Sequence, residues 1–138
     1  MLVKEAMTKN VITIDQSATI LEASNLYRDK KIGCLIITEN SKIVGIVTER
    51  DLIERTICML RDPENTRIGD IMSRDIKTVH ALETIEKALE IMENYNIKKL
   101  PVVKQDDIVG IITVTDISRV RPDLSERFME TWIKPRWK

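Results

Sequence analysis

Two short motifs of the same pattern carry the residues with the most evident chemistry. Residues 45–51 and 110–116 each read glycine, two apolar residues, threonine, two further residues and aspartate. A threonine that begins a helix leaves unpaired N–H groups able to bind a phosphate, and its hydroxyl adds a hydrogen bond. An ionised aspartate accepts hydrogen bonds from both hydroxyls of a ribose. The glycine would let a backbone or a ligand approach closely. Read this way, the motif predicts a nucleotide site.

The same pattern has a purely structural interpretation. Threonine at the N-cap of a helix, followed three residues later by aspartate, forms a capping box. A carboxylate in the first turn also suits the helix dipole. Thr48 and Thr113 would then end a strand and open a helix without binding anything. Taken alone, the motif favours neither interpretation.

The two motifs are parts of a longer internal repeat. Shifted by 65 positions, the chain overlays itself without a gap: residues 3–8 match residues 68–73, and residues 43–51 match residues 108–116. An ungapped match of this extent indicates a duplication.

Each copy predicts the element order β-α-β-β-α. Short β-rich runs stand at residues 11–14 and 76–79, and helices are predicted to begin after Thr19 and Thr84. Two strands joined by a polar turn follow, at 34–38 and 42–47 in the first copy and at 100–103 and 108–112 in the second. A last helix follows each motif threonine, and Pro122 ends the second of these.

The fold class is therefore predicted to be α/β, with two tandem repeats related by a pseudo-twofold axis and sharing one core, since one copy alone would bury little apolar surface. The predicted division is a first repeat at 1–61, a linker at 62–66, a second repeat at 67–120, and a C-terminal helix and tail at 121–138.

This combination resembles a tandem pair of CBS domains (a Bateman module). The resemblance rests on Met7-Thr8, Met72-Ser73, the run Leu100-Pro-Val-Val and the two motifs, and it spans roughly residues 3–120. It implies regulatory binding of an adenosyl ligand such as AMP, ADP, ATP or S-adenosylmethionine, with no cofactor required. It also implies pairing of modules into discs.

The resemblance further implies two clefts, each with a motif from one repeat and adenine-contacting residues from the other. Cleft A would use Thr48, Arg50, Asp51, His80, Ile97, Lys98 and Lys99. Cleft B would use Asp15, Ile32, Gly33, Cys34, Thr113, Thr115 and Asp116. Because cleft A has more cations, it is expected to prefer phosphorylated ligands. Cleft B is expected to be empty or to hold a less anionic adenosyl compound.

Composition and motifs argue against several other classes. Twenty-two basic side chains balance 22 acidic ones, whereas nucleic-acid binders need an excess of cations. The chain shows no membrane-length apolar run and no signal-peptide pattern, so a cytoplasmic protein is expected. His80 is the single histidine, and Cys34 and Cys58 lack metal-ligand spacing, so we expect neither a metal site nor catalysis.

The C-terminus and the helices predict protein contacts. Leu124, Phe128 and Trp132 recur at helical spacing, and Trp137 follows; this stripe would cover the chain's own core or dock on a partner. Apolar faces at 20–27, 52–60 and 85–92 are expected to be exposed and to form a homodimer. The leading hypothesis is a nucleotide sensor that acts in trans on an unknown protein. The alternative is an interaction module with vestigial clefts and a partner-docking tail.

Overall fold

The structure, a computed structural model, describes residues 1–124 and Glu126. The predicted C-terminal stripe at Phe128 and Trp132, with Trp137, lies outside the described residues. The chain runs through helices α1 to α5 and strands β1 to β6. In order they are α1 (Val3–Ala6), β1 (Thr13–Asp15), α2 (Ile20–Lys30), β2 (Cys34–Glu39), β3 (Lys42–Thr48), α3 (Glu49–Leu52), a π-helix (Ile53–Ile57), a 3-10 helix (Ile68–Asp70), β4 (Val79–His80), α4 (Ile85–Tyr95), β5 (Lys99–Lys104), β6 (Asp107–Thr113) and α5 (Val114–Val120).

These elements form two compact units. Unit I is Val11–Ile76, and unit II combines Met1–Asn10 with the described residues from Lys77 onwards. Each unit has the order β-α-β-β-α that the sequence predicts, so the α/β assignment is confirmed. The pseudo-twofold relation between the repeats stays a prediction.

The two sheets repeat each other in detail. In unit I, β2 pairs in parallel with β1 and antiparallel with β3; in unit II, β5 does the same with β4 and β6. The antiparallel register shifts after Ile37 in one sheet and after Val102 in the other. These positions are 65 residues apart, so the duplication preserves even the irregularity.

The opening segment of each repeat packs in the unit that holds the other repeat's sheet. In unit II, the Val3 N–H donates to the Glu83 carbonyl at 2.8 Å. The equivalent bond in unit I runs from the Ile68 N–H to the Ala18 carbonyl, also at 2.8 Å. The compact units therefore differ from the predicted repeats, which are divided by a linker at residues 62–66. Residues 1–10, although they begin the first repeat, belong to unit II together with the residues from Lys77 onwards.

Helices α2 and α4 turn their apolar faces into their own unit's core. Thr19 and Thr84 cap them through their hydroxyls, as predicted, and accept the N–H groups of Glu22 and Lys87. Ile20 and Ala23 are buried in one core, and Ile85 is buried in the other with Ala88, Leu89 and Met92. The expectation that the faces at 20–27 and 85–92 are exposed for dimerisation is therefore wrong. A strand-covering helix must bury that face to form its unit's core.

The face at 52–60 is the one that stays open. The helix after Thr48 widens into a π-helix at Ile53–Ile57 and ends in a turn, where Leu60 has a φ of 56°. Four apolar side chains here, which we call the 53–60 patch, are 53%, 68%, 62% and 92% exposed: Ile53, Ile57, Met59 and Leu60. The sequence prediction of exposure holds for this segment.

Candidate functional site

Both motif threonines lie at helix N-termini and form complete capping boxes. The Thr48 hydroxyl accepts the Asp51 N–H at 3.2 Å, and Asp51 Oδ2 accepts the Thr48 N–H at 2.9 Å. The equivalent distances for Thr113 and Asp116 are 3.1 and 3.0 Å. The structural interpretation of the motif is thus correct, and it uses one oxygen of each aspartate. The second oxygen, Oδ1, lies outside the capping box in both repeats.

The motif glycines make room for methionines. A Cβ placed on Gly45 would lie 2.3 Å from the Met72 sulfur. On Gly110 it would lie 2.6 Å from the Met7 sulfur and 2.9 Å from the Thr8 carbonyl oxygen. The close approach expected at these glycines therefore comes from the opening segments of the repeats.

The second oxygens of the two aspartates differ in their surroundings. Asp51 Oδ1 lies 3.8 Å from Arg55 Nε, and the Asp51 side chain is 18% exposed. Asp116 Oδ1 lies 3.4 Å from the Thr8 hydroxyl and 3.6 Å from the Arg119 guanidinium, and its side chain is 6% exposed. Arg55 is itself anchored, since it donates to the Ile71 carbonyl at 2.9 Å. The Asp51 carboxylate is thus the more accessible of the two.

The other residues predicted for cleft A lie at two places. Arg50 is exposed beside Asp51 in unit I and pairs with Glu54 at 2.6 Å, which raises the pKa of the guanidinium. In unit II, Ile97 and Lys98 stand immediately before β5, and Lys99 begins that strand. The Lys98 carbonyl accepts the Val114 N–H at 3.0 Å, so these lysines lie at the same sheet end as the Thr113 motif.

His80 and its equivalent in the other repeat, Asp15, both have local structural roles. His80 Nδ1 accepts the Leu82 N–H at 3.0 Å. Asp15 Oδ2 accepts the Ser17 N–H at 2.9 Å and the Ser17 hydroxyl at 2.5 Å, and these bonds lower the pKa of the Asp15 carboxyl. Each side chain thereby closes the turn that follows its strand.

The residues predicted for cleft B follow the same pattern. Ile32 and Gly33 precede β2, and Cys34, its first residue, is buried and pairs in register with Thr48. Thr115 is exposed in the first turn of α5. Each unit therefore brings together the motif of one predicted cleft and the pre-strand residues of the other. The joining of these halves into clefts A and B stays a prediction.

Two features near these residues escaped the sequence analysis. One is Thr8: the repeated Met-Thr and Met-Ser pairs indicate the repeat and the family resemblance, but they do not predict the contact of Thr8 with Asp116. The other is an open cavity of about 570 Å³ in unit I, for which spacing gives no signal. It is lined by Tyr27, Arg28, Lys31, Ile32, Gly33 and Glu49.

Tyr27 anchors the wall of this cavity. Its hydroxyl donates to the Val47 carbonyl at 2.5 Å, and burial raises the pKa of the phenol, with Cys34, Glu49 and Asp51 adding to the shift. Within the part of the chain that the structure describes, no three His, Cys, Asp or Glu side chains are placed to hold a metal ion. The helices formed by the described residues are all too short or too polar to span a bilayer.

Comparison with known proteins gives consistent results. The CBS domain family model matches residues 3–57 and 68–123. The chain is 31% identical over 116 residues to the CBS domain-containing protein YhcV of Bacillus subtilis, covering 84% of this chain and 82% of that protein. It is 37% identical over 114 residues to the inosine-5'-monophosphate dehydrogenase of Nitrosopumilus maritimus, covering 81% of this chain but 22% of that enzyme.

A solved structure shows the same architecture with ligands. The CBS domain pair of protein MJ0100, in complex with 5'-methylthioadenosine and S-adenosyl-L-methionine, is 33% identical and has a TM-score of 0.77. The alignment covers 90% of this chain and 98% of that one. The chain spans 82%, 63%, 40% and 22% of the length of four curated relatives.

Proposed function

This chain belongs to the CBS-domain family, and from that premise we propose that it is a regulatory module that binds an adenosyl ligand and transmits its occupancy to a partner. The observation that carries the proposal is Asp51 Oδ1, which lies outside the capping box, 3.8 Å from Arg55 Nε, on a side chain that is 18% exposed. The ligands of the MJ0100 domain pair, at 33% identity, support the adenosyl class.

In this proposal Asp51 recognises the ribose. Its Oδ2 is held by the Thr48 N–H, which fixes the carboxylate, while Oδ1 lies beyond hydrogen-bond distance from Arg55. A ribose hydroxyl would donate to Oδ1, and a bond to a charged acceptor is stronger than a neutral one. The threonine and aspartate that cap the helix would thereby also position the ligand.

Charge would select the phosphate end of the ligand in cleft A. We propose that Lys98 and Lys99 of the second repeat, with His80 and Ile97, complete a site whose other half is Thr48, Arg50 and Asp51. Arg50 is engaged with Glu54 in an exposed pair, for which a phosphate can compete. AMP, ADP and ATP are therefore the proposed ligands of cleft A.

We propose a non-enzymatic role. Ligand binding would shift the packing of the repeats, and a partner protein would respond to that shift. A cytoplasmic location is part of the same proposal.

The alternative is an interaction module with vestigial clefts. The 53–60 patch favours this role, because four exposed apolar side chains adjoin one motif helix. In either case we propose a homodimer that buries this patch, since exposed apolar side chains in one group mark interaction sites.

Ligand-induced thermal shift separates the two functions. AMP, ADP, ATP, adenosine and S-adenosylmethionine are each titrated against the wild type, since a ligand that binds the native state raises the melting temperature with concentration. The sensor predicts a rise with at least one of them, and the Lys98→Ala variant should lose more of the ATP response than of the adenosine response. If no adenosyl compound raises the melting temperature, the interaction module is the function that remains.

A further inference from the structure

The hydroxyl of Thr8 occupies the oxygen of Asp116 that a ribose would need. It lies 3.4 Å from Asp116 Oδ1, and the Arg119 guanidinium lies 3.6 Å from the same atom. Oδ2 accepts the Thr113 N–H at 3.0 Å. Each carboxylate oxygen of Asp116 therefore has a partner within unit II, and Thr8 stands against the oxygen that lies outside the capping box.

The backbone holds Thr8 in this place. Its N–H donates to the Ile111 carbonyl at 2.8 Å, and the Ile111 N–H returns a bond to the Thr8 carbonyl at 2.9 Å. Gly110 permits this crossing, since a Cβ there would lie 2.9 Å from the Thr8 carbonyl oxygen. Thr8 is exposed whereas Asp116 is buried, so the threonine lies on the solvent side of the carboxylate.

The equivalent position in unit I is arranged differently. Ser73 forms the same pair of backbone bonds, to Ile46, at 3.0 Å each. Among the residues that the structure describes, however, Ser73 makes no hydrogen bond to Asp51, and Asp51 Oδ1 has Arg55 at 3.8 Å. The two opening segments thus form the same backbone bonds. The Thr8 side chain lies against Asp116, whereas the Ser73 side chain does not contact Asp51 through a hydrogen bond.

We propose that Thr8 is a specificity-determining residue that closes Asp116 to ribose, so that the chain binds one adenosyl ligand, through Asp51, rather than two. The inference rests on the proposed function and explains why two nearly identical motifs would differ in occupancy. Because Thr8 is exposed and its bridge to Ile111 uses backbone atoms, removal of the hydroxyl should open Asp116 without unfolding the unit.

Calorimetric titration of the full chain with 5'-methylthioadenosine tests this. The wild type should bind one molecule per chain, and Thr8→Ala should bind two. Thr8→Ser, which restores the hydroxyl, should return the stoichiometry to one, and the matched control Ser73→Ala should stay at one. Thr8→Val places a methyl group where the hydroxyl stood, so it should still cover Asp116 and stay at one molecule. The melting temperature of Thr8→Ala, compared with that of the wild type, shows whether alanine loosens the segment.

Double variants assign the added molecule to its residue. Thr8→Ala with Asp116→Ala should return to one molecule, whereas Thr8→Ala with Asp51→Ala should keep one, now at Asp116. Two molecules in the wild type, or one in Thr8→Ala with a wild-type melting temperature while the Asp51 site still binds, would overturn the inference. Absence of binding in every variant would overturn the proposed function, and this inference with it.

Discussion

At the residue scale, the repeated motif carries more structure than ligand chemistry. Threonine and aspartate cap the helix in both repeats, and the glycine accommodates a methionine from an opening segment. The oxygen outside the capping box lies 3.8 Å from Arg55 at Asp51, on a side chain that is 18% exposed, and 3.4 Å from the Thr8 hydroxyl at Asp116, on a side chain that is 6% exposed. The sequence predicted the capping box, but the difference between the aspartates depends on Thr8, which is 108 residues away.

The methionine contacts make the motif glycines intolerant of alanine. Gly45→Ala places a Cβ 2.3 Å from the Met72 sulfur, a flexible side chain, whereas Gly110→Ala also meets the Thr8 carbonyl at 2.9 Å. Both variants should lose about 1–3 kcal/mol of unfolding free energy, as overpacked cores do, with Gly110→Ala the worse. Urea denaturation measures this, and Gly69→Ala, whose Cβ would meet the Gln16 carbonyl oxygen at 3.1 Å, should lose less than either. Equal stability of Gly110→Ala and wild type would contradict the contact.

Tyr27 should make the stability of the protein fall at high pH. Burial raises the pKa of its phenol above the ordinary value of 10.0, so its contribution is complete below pH 10 and is lost as the pH rises through the folded-state pKa. Tyr27→Phe should lose about 0.5–1.5 kcal/mol at neutral pH, through the bond to Val47, and show a shallower decline above pH 10. The exposed Tyr95→Phe variant is the control for urea denaturation at pH 7 to 11. If the unfolding free energy of Tyr27→Phe fell as steeply above pH 10 as that of the wild type, Tyr27 would not be the cause of the decline.

At the scale of elements, periodicity and capping predict the helices and strands well. The element order, both capped helices and the end of α5 before Pro122 follow from local pattern. Local pattern does not predict that the opening segment of each repeat packs in the unit that holds the other repeat's sheet, because this depends on contacts between residues far apart in sequence. Exposure of the α2 and α4 faces was predicted wrongly for the same reason, since a stripe such as Ile85, Ala88 and Met92 does not reveal which surface covers it.

The buried face of α4 should be sensitive to truncation. Leu89 is fully buried in the core of unit II, so Leu89→Ala should cost about 2–5 kcal/mol. Leu82→Ala removes the same atoms from a side chain that is half exposed, and should stay within about 0.5 kcal/mol. Chemical denaturation of the two variants compares them directly. Similar losses from both would show that the α4 face is not a core face.

At the scale of the whole molecule, the 53–60 patch should determine the oligomeric state. Ile57→Glu combined with Leu60→Glu places charges in the patch and should convert a homodimer into a monomer, because buried unpaired charges are costly at an interface. Light scattering at about 50 μM makes the comparison, since a stable interface survives there. Leu82→Glu, which alters a half-exposed residue outside the patch, is the control and should remain dimeric. A wild-type monomer at this concentration would rule out the dimer.

We expect this CBS pair to bind its ligand through Asp51 and not through Asp116. Titration calorimetry with ADP on Asp51→Ala and Asp116→Ala tests it most directly, and the two variants are matched because each also breaks one capping box. Asp51→Ala should weaken binding by at least about tenfold, since it loses a bond to a charged acceptor, while Asp116→Ala should bind like the wild type. Loss of binding in Asp116→Ala, with wild-type affinity in Asp51→Ala, would contradict the account.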